Sequence, residues 1–174
     1  TVFAVPPSNP HINSGTAAEG GNFFQYYADG VYSDLKTPPH YVVETGEVAY
    51  CLEHNLESAD GELYHTFDAN ALYSSRTYNG LLAILMNGYP YNNAGLTSQQ
   101  ARYATANAIR SWLAESAGIG YRFMVPSYDL LRYKSGYYAV WAFYKQLLVY
   151  ARDGSSSFVQ YSVYTNPRTV TLTE

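Results

Sequence analysis

The sequence predicts an α+β fold in which a helical block is inserted into a β structure that both chain ends help to build. Three observations point that way. Short β-branched and aromatic segments divided by turn residues lie between Tyr41 and Thr66. Long stretches with helical apolar spacing fill the middle of the chain. The C-terminal FVQYSVYT and TVTLT then alternate like paired strands around Asn166 and Pro167. At 174 residues, 47% hydrophobic and 14% charged, the chain suits one domain with a real core and leaves no room for two. The expected β-rich part covers about residues 1–70 and 155–174, and the helical part about 71–154.

In chain order, the Pro-, Gly-, Ser- and Asn-rich opening as far as Gly21 reads as an extended lead-in, with a short strand at Val2 to Val5. Order begins with NFFQYYADG. The first strands are YVVE, EVAYCLE and ELYHTF, divided by Gly46 and by Ala59-Asp60-Gly61. A helix over Arg76 to Asn87 stops at Gly88, Tyr89 and Pro90, the order of breakers expected after a C-terminus. The next helix opens on Thr97 with Gln100 three residues on, a capping box, and runs unbroken to Ser116. Its positions 101, 104, 105, 108 and 112 form one stripe and 106, 109 and 113 an adjoining one, so this helix should be buried on more than one face. A helical turn at Tyr128 to Tyr133 and a long helix from Tyr138 to Arg152, ending before Gly154, complete the block.

Composition excludes several classes of function. The formal charge of -4, with acids and bases scattered, offers no footprint for nucleic acid or for an anionic membrane surface. The longest apolar run, LLAILM, is far too short to span a bilayer. The chain begins at Thr1 without a methionine or signal-peptide pattern and reads as a mature or excised fragment. Its twenty tyrosines suit a β-rich fold or a binding surface. No cofactor-binding motif is found, and neither a CxxC pair nor HExxH supports a metal site.

A single cysteine, Cys51, sits inside the strand-like run AYCLEHN. One cysteine makes no internal disulfide, so the redox compartment stays undecided. Cys51 reads either as a small buried hydrophobe or as a nucleophile activated by His40, His54 or His65, which lie within reach in sequence. No GxSxG elbow or CGSCW context surrounds it. Glu53 with His54, and Glu57 with Asp60, read as a solvated strand end.

A third reading comes from the blocks YCLEHN, AILMNGYP and LTSQQARYATANAIRSW. Taken in this order, they resemble the thioester domains at the tips of Gram-positive surface adhesins and pili. That family carries a YC-hydrophobic-acid block, an IL-x-x-GYP block, and a helix of the form LT-x-x-x-A-x-x-ATQ-x-AI followed by an aromatic residue. Tyr50-Cys51-Leu52-Glu53 fits the first block, and Ile84-Leu85 through Gly88-Tyr89-Pro90 the second. Leu96-Thr97, Ala101, Ala104-Thr105, Ala108-Ile109 and Trp112 fit the third.

One position departs from the pattern. Where the family has the glutamine whose side-chain carbonyl joins the cysteine sulfur, this chain has Ala106. A methyl group carries no acyl carbon, so the chain as written forms no thioester. Alanine deletes a functional group while preserving a helix, and the residue reads as an engineered, thioester-null replacement. The alternative is a native alanine packed on the stripe of Ile109 and Leu113, in a degenerate relative that binds without a covalent bond.

The resemblance implies a β-sandwich or barrel-like subdomain carrying Cys51 and a helical subdomain carrying position 106. It implies a covalent adhesin, not a turnover enzyme. Its partner would be a host surface or matrix protein presenting a reactive lysine. The domain would stand as a monomer within a larger, cell-wall-anchored extracellular protein. Two rivals from the residues alone remain open: a cysteine-dependent hydrolase or transferase using Cys51 with His54 or His65, and a noncovalent binding module. Lys36, Lys134 and Lys145 are the only lysines, which a low charged fraction explains. Tyr89, Tyr91, the tyrosines around Gly136, and His54 are neighbours to watch, without an assigned role.

Overall fold

The computed structural model describes residues 9–52, 59–63, 67–68, 71–154, 162–166 and 169–173. Among the described residues, ten strands and four helices follow one another as β1 (His11–Ser14), α1 (Ala17–Gly20), β2 (Phe24–Ala28), β3 (Val31–Leu35), β4 (His40–Val42), β5 (Val48–Cys51), β6 (Asp60–Leu63), β7 (Phe67–Asp68), α2 (Ser75–Asn87), α3 (Ser98–Ala117), β8 (Leu131–Tyr133), α4 (Tyr138–Asp153), β9 (Ser162–Asn166) and β10 (Thr169–Thr173). The strands form a seven-stranded sheet in the order β6-β1-β4-β5-β10-β9-β7 and a three-stranded sheet in the order β3-β2-β8. All pairings are antiparallel. Mixed helix and sheet, with helices between strands from both ends of the chain, is the α+β class expected.

The closing hairpin is where the C-terminus joins the β structure. β10 pairs with β9 and, on its other edge, with β5, where Thr169 stands opposite Cys51. The strand that carries the cysteine is therefore interior to the large sheet, with β4 on its far side. The sheet's own small core is Ile12, Val42, Ala49 and Ala59.

The main core lies among α2, α3, α4 and the small sheet, and it includes Phe24, Leu35, Leu81, Ile84, Tyr103, Ile109, Trp112, Tyr144 and Leu147. Close approach of α2 to α3 depends on Gly80. A Cβ there would lie 2.2 Å from the Trp112 indole, whose Nε1–H donates to the Thr77 carbonyl at 2.8 Å. The capping box of α3 is present as read, with Thr97 Oγ1 accepting from the Gln100 amide and the Gln100 side chain accepting from the Thr97 amide. Its left-handed stop is Gly118, φ 68°. Every residue of α3 from Tyr103 to Ala114 is buried, as the two apolar stripes predict.

Three expectations are corrected. The lead-in is not a loop throughout: His11–Ser14 is a strand lying between β4 and β6, and Ala17–Gly20 is a helical turn with its own Thr16/Glu19 capping box. Sheet pairing, not the composition of HINS, makes the strand. The strands also begin before Tyr41, because β2 and β3 form a hairpin through Asp29 and Gly30 with φ of 51° and 84°. An Asp-Gly pair with two positive φ values is the chemistry of a type I′ turn, a signal present in YYADGVYS. Lastly, Tyr128 to Tyr133 is not a helical turn. Two 3₁₀ turns, Arg122–Met124 and Pro126–Tyr128, end where that segment begins, and Leu131–Tyr133 pairs with β2 as a strand. The proposed strand at Val2 to Val5, and residues 53–58 and 64–66, lie outside the described residues.

Candidate functional site

The three sequence blocks meet at the junction of β5 and α3, and a run of hydrogen bonds joins them. The buried Tyr50 hydroxyl, on β5, donates to the Tyr89 carbonyl at 2.5 Å. The Tyr89 amide donates to Thr105 Oγ1 at 3.0 Å. Thr105 Oγ1 in turn donates to the Ala101 carbonyl one turn back along α3, at 2.8 Å. Gly88 permits this contact, since a Cβ there would stand 2.6 Å from Thr105 Cγ2. Burial holds the Tyr50 phenol far above its usual titration range, so it is a neutral donor.

A second set of contacts seats the segment before β4 on the same helix. Tyr103 donates to the Leu35 carbonyl at 2.6 Å and accepts from the Phe24 amide at 3.1 Å. Asn107 Nδ2 donates to Thr37 Oγ1 at 3.1 Å. Gln99 Nε2 and Arg102 Nη2 donate to the carbonyls that end α1, the arginine to Glu19 at 2.7 Å. Gly20 allows α1 to lie against Thr37, because its Cβ would collide with the Thr37 carbonyl.

Between these contacts lies a small pocket, about 250 Å³ counting its open mouth, lined by Thr37, Pro38, Pro39, His40, Ala49, Tyr50, Cys51, Arg102, Tyr103, Ala106 and Arg110. Cys51 and Ala106, 55 positions apart in sequence, thus face one space. Cys51 is half-buried at the end of β5, and Ala106 is 6% exposed in the middle of α3. His40 also lines the pocket. The other two candidate histidines, His54 and His65, lie outside the described residues, as do Glu53 and Glu57. Asp60, described, begins β6. Tyr89 and Tyr91 line a neighbouring cleft with Val48, Tyr50 and Pro90. Among the described residues, no group of three His, Cys, Asp or Glu side chains is placed to hold a metal ion, and no helix is long and apolar enough to cross a membrane.

The pocket is cationic. Arg102 and Arg110 sit one turn before and one turn after position 106, on the same face of α3. Burial lowers the proton affinity of both guanidiniums, yet arginine stays charged at any working pH. His40 Nδ1 lies 2.7 Å from Ser14 Oγ. Burial first, then the charges of Arg110 and Arg102, depress the His40 pKa to about 4, so its imidazole is neutral at pH 7. Sequence reading missed both arginines. Their spacing of four on each side of Ala106, inside a well-capped helix, was the available signal.

The family model for the thioester domain matches residues 48–153, which covers β5, α3, Cys51 and Ala106. Among solved structures, the chain is similar to the Bacillus anthracis TIE protein, with 23% identity and a TM-score of 0.62 over 88% of this chain and 26% of that one. It is similar to the N-terminal thioester domain of fibronectin-binding protein SfbI from Streptococcus pyogenes, with 14% identity and a TM-score of 0.56 over 98% and 96% of the two chains. The N-terminal domain of the Streptococcus pyogenes pilus tip adhesin Cpa shares 16% identity and a TM-score of 0.52 over 99% and 97%. The chain spans about a quarter of the Bacillus anthracis chain, and at these identities the likeness shows the fold. No curated protein sequence matches it. Sequence match over more than half the chain and a shared fold agree, and the chain belongs to the thioester domain family.

Proposed function

We propose that this chain is the binding domain of a bacterial surface adhesin, with Cys51 and position 106 as its reactive pair. The observation that carries the reading is that strand β5 and helix α3 bring these two residues into one pocket. With glutamine at position 106, the Cys51 sulfur would attack the side-chain carboxamide carbon and ammonia would leave, forming an internal thioester. The step asks mainly for geometry, since reactants held in place reach effective molarities of about 10⁵ to 10⁸ M. A lysine amine of a target protein would then attack the acyl carbon. The carbon–sulfur bond breaks, an isopeptide-type bond forms, and Cys51 regains a thiol. Each molecule reacts once, so the domain is a covalent binding module and not a turnover enzyme.

Ala106 makes the present chain thioester-null in this reading, and we take it as an engineered replacement. The single domain, 1–174, is placed at the cell surface within a larger, wall-anchored protein. It has no need of a cofactor, and its partner is a host surface or matrix protein. Support for this comes from family membership and from similarity to a fibronectin-binding protein and to a pilus tip adhesin. The hydrolase reading is not favoured at His40, because a thiolate–imidazolium pair needs a histidine that keeps its proton near neutrality, and His40 loses its proton at about 4.

Intact mass of the Ala106→Gln protein, before and after methylamine, tests the proposal. The expected protein is lighter than its sequence mass by one ammonia and gains one methylamine on treatment. A protein at full sequence mass, unmoved by amine, would overturn it.

A further inference from the structure

Among the described residues, Arg110 is unusual in being a buried cation without a counter-ion. It is 5% exposed. The ion pairs found are His11–Glu44, Lys134–Asp34 and Arg152–Glu115, and none involves Arg110. Its Nε–H makes one long contact, 3.5 Å, to the Cys51 carbonyl, and its Nη1 is buried with no hydrogen-bond partner. A guanidinium whose nearest ionisable partner is the Cys51 thiol, with no carboxylate beside it and Nη1 donating to nothing, is costly to bury, and a group kept at such a cost calls for an explanation. Packing does not supply one, since a methionine or leucine would fill the space without the desolvation penalty.

The placement of the guanidinium suggests what it serves. Its Nε holds the backbone of Cys51, its own Cα is one helical turn from position 106, and all three residues line the same pocket. We infer that Arg110 is the hydrogen-bond donor for the acyl oxygen of the group at position 106, with Nη1 as the donor atom. The inference rests on the reactive pair proposed above and adds a third residue to it. When an amine attacks the acyl carbon, the carbonyl π electrons move onto oxygen. That oxyanion accepts from Nη1. The electrons return as the carbon–sulfur bond breaks, the pair leaves on Cys51, and the surplus amine proton passes to sulfur. Arg110 touches the reacting oxygen at each stage and loses no proton. In the alanine chain there is no acyl oxygen, which accounts for the donor that stands without an acceptor.

A donor already fixed in place by burial is worth far more than one recruited from water, because it needs no reorganisation as charge develops. Its neighbours agree with that role. Arg102 adds a second positive charge on the same helix face, and His40, neutral at pH 7, adds no charge of its own.

The test compares the Ala106→Gln protein with the same protein carrying Arg110→Gln or Arg110→Lys, each checked for a folded circular dichroism spectrum. The expected result is a methylamine reaction about 10² to 10³-fold slower in Arg110→Gln and on the order of 10-fold slower in Arg110→Lys, whose single ammonium cannot keep both the Cys51 carbonyl and the acyl oxygen. The thioester carbonyl stretch should move to higher wavenumber in the folded lysine variant, a readout that a purely structural role would not shift. If Arg110→Gln fails to fold, the lysine variant alone decides. Rates within about threefold of the parent, with an unmoved carbonyl band, overturn the inference while leaving the thioester itself intact. An Ala106→Gln protein at full sequence mass instead removes the reading beneath it.

Discussion

Helices α3 and α4 pack against each other, yet they are buried in different ways. In α4 the buried residues are Val140, Phe143, Tyr144, Leu147, Leu148 and Ala151, one stripe at spacings of three and four, with solvent on the other side. In α3 burial runs through every residue from Tyr103 to Ala114 and takes in Thr105, Asn107, Arg110 and Ser111. Each of those four polar side chains bonds to a different segment: Tyr89, Thr37, the Cys51 carbonyl and Tyr144 respectively. The difference separates two tasks. Apolar packing explains α4, whereas α3 accepts the desolvation of polar groups in order to hold strand, loop and helix in one arrangement around the pocket. Site geometry belongs to α3, and bulk stability is shared with α4.

The largest expected effect tests α4 as a packing element. Leu147 is fully buried, so Leu147→Ala should cost about 2–5 kcal/mol of unfolding free energy, read from the urea midpoint. In the Ala106→Gln background, the same change should leave the methylamine rate of the folded protein unaltered. A slowed reaction would mean that α4 also tunes the site and would erase the contrast.

An acid titration probes the α3 side next. His40 is buried with a folded pKa of about 4, against about 6.5 in an unfolded chain. Between those values the unfolded chain binds the proton and the folded one does not, so stability falls as the solution is acidified from pH 6.5 to 4 and this contribution is flat above pH 6.5. The loss amounts to about 3 kcal/mol at most. Urea midpoints measured from pH 7 to 4.5 should show this slope, and His40→Gln should flatten it. An identical slope in the variant would mean that His40 is accessible to protons in the folded state, and that the pocket is wetter than its lining implies.

Tyr50→Phe is the smallest perturbation and the sharpest. It removes only the donor to the Tyr89 carbonyl and should cost about 1 kcal/mol. Because that bond connects the strand that carries the cysteine to the segment capped by Thr105, the variant in the Ala106→Gln background should also react more slowly with methylamine. Lost stability with an unchanged rate would show that Thr105 and Gly88 hold the strand in place without it.

Much of the helical block was legible, because its signals are local. The Thr97/Gln100 box, the stops at Gly88 and Gly154, and the apolar stripes all act within a few residues of themselves. The Asp29-Gly30 hairpin was equally local and was passed over. His11–Ser14 and Leu131–Tyr133 were hidden for a different reason. Each is a short strand whose identity comes from its partners, β4 and β6 in one case and β2 in the other, and strand propensity over three or four residues says little without them.

By itself the sequence determined the three long helices α2, α3 and α4, the capping box of α3 and the α+β class, and its motif blocks suggested the chemistry proposed for Cys51 and position 106. Only the tertiary structure decided that Cys51 and Ala106 share a pocket, that His40 is neutral there, and that Arg102 and Arg110 bracket it. The physical reason is distance along the chain. Backbone and capping preferences are short-ranged and are written in adjacent residues. The charge and solvation of a site depend on which distant segments close over it, and for this pocket those are the strand of Cys51, the strand that His40 begins and the buried helix α3.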